Sequence, residues 1–180
     1  MPRKRYPVKR HSVAQPSDTS YRLIPLTQGQ NAIVDASDYE WLNQWNWFAW
    51  WSPETESFYA RRSLRVNGRL TMIHMARELL DCEIGEFPDH ISHETLDNRR
   101  ANIRKGTNSQ NMCNRRQRPD NTSGYRGVTF YKDRKQWVSR ISVNKRRIHL
   151  GYFLTPEDAA HSYDEAAKKY HGEFAVLNFH

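Results

Sequence analysis

Four polar residues in the middle of the chain have types and spacing suited to hydrolysis. Asp89 and His90 are adjacent, Asn102 follows twelve residues after His90, and Asn111 nine beyond that. A neutral imidazole near its ordinary pKa can take a proton from water at physiological pH, which makes His90 the candidate base. A hard divalent cation needs oxygen ligands, and one or two from the protein suffice when water and a phosphate complete an octahedron. Asp89 and the amide residues are the oxygens on offer, although Asp89 and His90 should diverge along an extended strand. The competing reading is that Asp and Asn here are turn and capping residues, and it weighs most for Asp97 and Asn98. His74 reads as packing at a helix start, and His93 is given no role.

These residues need elements to position them. "YRLIPL", "NAIVD", "WNWFAWW" and "SFYARRSLRV" have the look of short strands, and Asn67-Gly68 marks a hairpin before "RLTMIH". "DASDYEWLNQW" predicts a short helix capped by Asp35 or Ser37. Trp41, Trp45, Trp47, Trp50 and Trp51 read as core and strand-face residues. "MIHMARELLD" has helical spacing, with Ile73, Ala76, Leu79 and Leu80 on one face. Thr107 and Gln110 form a capping-box pattern that predicts a helix from about Asn108 to Arg116.

A second group of elements follows the polar stretch "RRQRPDNTS". "GYRGVTFYK", "QWVSRISV" and "RRIHLGYF" predict three strands. Thr155 as cap, Pro156 at the first helical position, and Glu157 and Asp158 in the first turn open a helix. Ala159, Ala160, Tyr163, Ala166, Ala167 and Tyr170 form its apolar stripe, and Gly172 ends it. In the second strand Trp137, Ser139, Ile141 and Val143 share one face, and Gln136, Val138, Arg140 and Ser142 the other. In the third, Ile148 and Leu150 alternate with Arg147 and His149. The apolar faces should meet the helix stripe, leaving the Arg-bearing faces for a partner.

Charge identifies that partner's class. Of 180 residues, 28 are Lys or Arg and 20 are Asp or Glu, a net charge of +8. Residues 115–152 hold eleven of the bases against two acids, so the remainder is close to neutral. A concentrated basic segment is the footprint of a polyanion binder. Mean hydropathy is -0.93, which favours two small cores over one large one. Cys82 and Cys113 make no C-x-x-C pair, so no structural zinc is expected and a reduced cytoplasmic setting is the default. Residues 1–10 are basic without a signal-like apolar stretch, and no apolar run reaches a membrane span.

The set Asp89-His90, "LDNRRANIR" and Gln110-Asn111 resembles the HNH endonucleases, specifically their homing-type branch, over roughly Ile73 to Arg116. "IVDASDYEWLNQWNW" is similar to the leader of free-standing phage members. The resemblance implies a ββα-metal fold in which Asp89 and Asn111 hold the metal, His90 activates water and Asn102 holds the loop and orients the base. Mg2+ is the expected ion, with Mn2+ as its substitute. Residues 123–179 resemble the ethylene-response-factor (APETALA-two) domain of plants, through "SGYRGV", "RRIHLGYF" and "EDAAHSYDEAAKKYHGEFAVLNF". That resemblance implies a three-stranded antiparallel sheet in the major groove with a helix behind it. Arg126, Tyr131, Arg134, Arg140, Arg147 and His149 are the expected DNA contacts, where a guanidinium can pair with guanine. Thr129, Tyr131, Ser142 and His149 stand where plant members usually place Arg or Trp, so the plant target is not carried over.

The expected fold class is therefore α+β: a disordered basic arm at 1–20, an HNH domain with a β-rich leader at 21–114, a linker at 115–123 and an APETALA-two-like domain at 124–180. The expected function is metal-dependent cleavage of double-stranded DNA in a phage or bacterial host cell, by a monomer or weak dimer. The alternative is a non-catalytic, sequence-specific DNA-binding regulator with a decayed HNH module. An RNA-binding role is disfavoured because no RNA-type motif of exposed sheet aromatics is evident.

Overall fold

The computed structural model describes residues 11–117 and 121–179. The expected arm therefore lies partly outside the described residues, as does the middle of the expected linker. The chain divides into two compact units, 1–105 and 106–180.

The first unit opens with an antiparallel hairpin of β1 (Tyr21–Pro25) and β2 (Asn31–Asp35), in which Leu23 pairs with Ile33. Residues 11–20 are not a loose arm throughout. The Gln15 amide accepts from Leu23 N and donates to Leu23 O, each at 2.9 Å, so it bonds to the strand as a neighbouring backbone would. Helix α1 (Ala36–Asn43) follows directly. A meander comes next, β3 (Phe48–Ser52), β4 (Ser57–Val66) and β5 (Arg69–His74), in that order across the sheet. Asn67 and Gly68 have φ of 48° and 77°. Two successive positive φ values are what the tight β4–β5 turn requires, and Asn-Gly supplies them at least cost.

Helix α2 (Met75–Leu79) is shorter than its apolar spacing predicts, because Met72, Ile73 and His74 belong to β5 instead. The paired strands β6 (Phe87–His90) and β7 (Ile103–Gly106) flank the polar loop. The core gathers Ile24, Ala32 and Val34 from the hairpin with Leu42, Trp47, Met75, Leu79 and Ile103. Trp47 is fully inside, its indole N–H donating to Leu42 O at 2.8 Å, which satisfies the one polar atom it buries. Trp41 on α1 is exposed, a correction to its assignment among core and strand-face residues, while Trp51 is an exposed strand-face residue of β3.

The second unit begins with α3 (Asn108–Cys113), whose start is the capping box expected of Thr107 and Gln110. It continues with β8 (Val128–Tyr131), β9 (Gln136–Val143), β10 (Arg146–Phe153) and α4 (Pro156–His171). β9 is the central strand, antiparallel to both neighbours. Thr155 Oγ1 accepts from Asp158 N at 3.2 Å, and Pro156 opens α4 as expected. Val128, Trp137, Ile141, Val143 and Ile148 pack on the small-residue stripe of the helix, with Ala159, Ala160 and Ala167 completely covered. Alanines let sheet and helix approach closely, so a thin two-layer unit still closes a core.

The architecture is thus mixed α and β, with four small sheets among the described residues. β6 lies in the first compact unit, whereas α3 falls in the second, where it packs against the turn Gly172–Phe174.

Candidate nucleic-acid interface

Among the residues first singled out, Asp89, His90 and Asn102 meet around the loop 91–102, and each has a structural partner. Asp89 is buried and forms an ion pair with Arg104 across the β6–β7 pair, at 2.9 Å. Asn102 ties the loop together: its Oδ1 accepts from Ser92 N at 2.9 Å and its Nδ2 donates to Asp97 O at 2.8 Å. His90 Nε2 lies 3.3 Å from Asn98 Oδ1. Burial lowers the His90 pKa, opposed by Asn98 and the Asp89 and Asp97 charges. Asn111 belongs to the second unit, beside Gly106 and Phe174. Asp89, His90 and Asn102 lie in the first unit and Asn111 in the second. Among the described residues, no three His, Cys, Asp or Glu side chains gather as a metal-holding group.

Sequence reasoning missed how this loop is anchored. Asn98 is buried, and its N–H donates to Ile33 O at 2.8 Å while Ile33 N–H donates to Leu96 O. Arg100 pairs two-pronged with Asp38, at 2.9 and 2.8 Å, and Arg100 N–H donates to the Asp35 carboxylate. Asp35 precedes α1 but makes no side-chain cap there. These acids serve a segment more than 60 residues away, which no local pattern announces. His74 faces Tyr59 and Trp50, edge to ring. Burial first, then the charges of Arg61, His90 and Arg77, bring its pKa down to about 4.

The second unit assembles a different kind of surface. On β9 and β10, Arg140 is directly opposite His149, and Ser142 opposite Arg147. These four share the face that points away from α4, because Ile141 and its partner Ile148 occupy the helix side. A bulge between His149 and Gly151 then changes the phase of β10. Strict alternation would put Tyr152 behind the sheet. The extra residue brings it to the front opposite Val138 and sends Phe153 to the helix side opposite Trp137. The Tyr152 ring lies 4.7 Å from His149 and 6.1 Å from Tyr131, and the Arg134 guanidinium sits over it at 4.6 Å.

Five of the six expected contacts, Tyr131, Arg134, Arg140, Arg147 and His149, thus converge on one basic and aromatic face. Tyr152 was missed. Gly151, with φ of 149°, is the sequence signal that could have flagged the bulge. Arg126 is elsewhere. Its guanidinium donates to the carbonyls of Cys113 and Arg115 at the end of α3, while its backbone N–H donates to Asn178 Oδ1 at 2.7 Å. It holds the unit together.

Comparison with known proteins bears on this region. Residues 123–173 match the AP2 domain family. The chain is 45% identical over 58 residues to the AP2-like ethylene-responsive transcription factor TOE2 of Arabidopsis thaliana, covering 32% of this chain and 12% of that protein. It is 45% identical over 58 residues to APETALA2-like protein 2 of Oryza sativa subsp. indica, covering 32% and 13%. It is also 47% identical over 60 residues to the transcription factor CRL5 of Oryza sativa subsp. japonica, covering 32% and 9%. The chain thus spans a small part of these relatives' length.

These similarities correct the endonuclease expectation. The matched family is a DNA-binding domain, and two of these relatives are named as transcription factors rather than hydrolases. In the structure, Asp89 is paired with Arg104. The relatives are plant proteins, which gives no support to a phage or bacterial host.

Proposed function

We propose that this protein is a non-enzymatic, sequence-selective DNA-binding regulator that grips duplex DNA with the outer face of the β8–β10 sheet. What supports this is the convergence of Arg140, Arg147 and His149 on that face, braced by Arg134, Tyr131 and Tyr152, in a segment similar to the AP2 domain. Two of the plant relatives are named as transcription factors, which agrees with a regulatory role.

The physical account is short. A sheet face fits the major groove when its side chains alternate regularly and its helix is held behind. Arg140 and Arg147 present guanidiniums that match the paired acceptors of guanine. His149 contributes a ring nitrogen, and Tyr131 and Tyr152 contribute apolar edges suited to a thymine methyl. Surrounding Lys132, Lys135 and Lys145 add phosphate contacts that set affinity without reading sequence.

Selection of bound duplexes from a random pool, followed by affinity measurement, tests this function. Enrichment of one motif is expected, with Arg140→Ala and Arg147→Ala each weakening binding by about 1–3 kcal/mol and relaxing one position. Failure to enrich any motif, wild-type affinity in both variants, or preference for the separated single strands would overturn it.

A further inference from the structure

We propose that the β4–β5 hairpin of the first unit is a second duplex-DNA contact, separate from the β8–β10 sheet. The β3 strand pairs with β4 only as far as Arg61, opposite Phe48. Beyond that point, from Arg62–Ile73 to Val66–Arg69, the chain is a two-stranded ribbon. Every residue from Arg65 to Met72 is exposed.

The ribbon's composition is unlike that of a solvated turn. Val66, Leu70 and Met72 are 46%, 59% and 47% exposed. A bare hairpin gains little stability from apolar side chains left in water, so such residues mark a surface that something else covers. Charge identifies the occupant. Residues 57–77 contain five arginines and no acid. Arg62 is neutralised by Glu78, and Arg61 lies on the Trp50 ring. Arg77 is held by the carbonyls of Glu83 and Glu86. That leaves Arg65 and Arg69 as the cations of the tip, where Arg65 donates to Gly68 O at 3.0 Å.

Each tip arginine stands directly opposite an apolar residue, Arg65 across from Leu70 and Arg69 across from Val66. Both faces of the ribbon therefore carry a guanidinium beside an apolar side chain at the tip, and Met72 extends the face of Leu70. An interface with another protein would use one such face. A ribbon entering a groove is met on both sides, by phosphates on the walls and by base edges or sugars at the tip, and two strands are narrow enough for the major groove.

The proposal rests on the DNA-binding function, and its test keeps the two apart. The full chain, its Arg65→Ala/Arg69→Ala variant and its Arg140→Ala/Arg147→Ala variant are compared on the duplex recovered by selection. The hairpin variant should raise Kd about tenfold, reduce the salt slope by about two, and shorten the hydroxyl-radical footprint at one end. Base preference in the remaining footprint should be unchanged, and Arg65→Lys/Arg69→Lys should restore most of the affinity.

Unchanged affinity, slope and footprint in the hairpin variant, on a duplex that the sheet variant no longer binds, would overturn the hairpin contact alone. So would a DNA-free dimer that the hairpin variant dissociates without altering the footprint, since the ribbon would then join two copies. If neither variant changes binding, the DNA-binding function fails and the hairpin contact with it.

Discussion

At Gly127 the backbone has φ of +74°, and a Cβ there would lie 2.1 Å from the Tyr163 ring and 2.7 Å from Arg140 O. Arg140 N–H also donates to Gly127 O, at 2.9 Å. Gly127→Ala should therefore destabilise the second unit by more than about 2 kcal/mol and displace the strand that carries Arg140. Urea melts would measure the first effect and duplex affinity the second. Gly124→Ala is the control: its φ is similar, but nothing lies within 4 Å, so backbone strain alone remains. A second residue-scale effect belongs to His74. Its folded pKa of about 4 is below the unfolded value, so the unfolded chain binds more protons between those limits. The stability it contributes is complete above about pH 6.5 and is lost as pH falls through about 4. Melts of wild type and His74→Phe across that range should show the steeper acid loss in wild type.

Two ion and hydrogen-bond assemblies act at the scale of elements. Arg62 on β4 pairs with Glu78 on α2 through two bonds, at 2.7 and 2.5 Å, and both side chains are largely covered. Glu78→Gln leaves the Arg62 charge buried without its counter-ion, and should cost about 3 kcal/mol. Asp164 on α4 accepts from Asn178 N and Phe179 N while its partner Asn178 reaches Arg126. The tail is thereby tied to both the helix and the approach to β8. Asp164→Ala removes acceptors from buried donors, and a loss of about 2 kcal/mol is expected with fraying of the last residues. Hydrogen exchange at Asn178 and Phe179 would read it. Element identity itself was largely legible in sequence: the Asn67-Gly68 turn, the capping box at Thr107 and the Thr155-Pro156 start all formed where their residues indicated. The bulge after His149 was not, because alternation carries no marker for a skipped residue apart from Gly151.

For the whole molecule, the basic charge is concentrated in residues 115–152. Affinity for duplex DNA should accordingly fall steeply with salt, which a titration of Kd against salt concentration would show. Because the function proposed is non-enzymatic, supercoiled plasmid incubated with the protein and Mg2+ should remain supercoiled, and EDTA should leave affinity unchanged. Nicking that depends on Mg2+ would contradict this. Among the described residues no helix is long and apolar enough to cross a membrane.

The amino-acid sequence alone determined the basic segment, the order of strands and helix after residue 123, and the face on which Arg140, Arg147 and His149 stand. Each of those depends on spacing within a few residues, where sterics and periodicity act directly. Tertiary structure decided which partners Asp89 and Asn102 have. Their residue types suit a metal centre and a well-tied loop equally, and only the folded chain brings Arg104 to Asp89 and sets Asn102 between Ser92 N and Asp97 O. The same holds for Arg126, whose charge suggested DNA and whose position spends it on two backbone carbonyls.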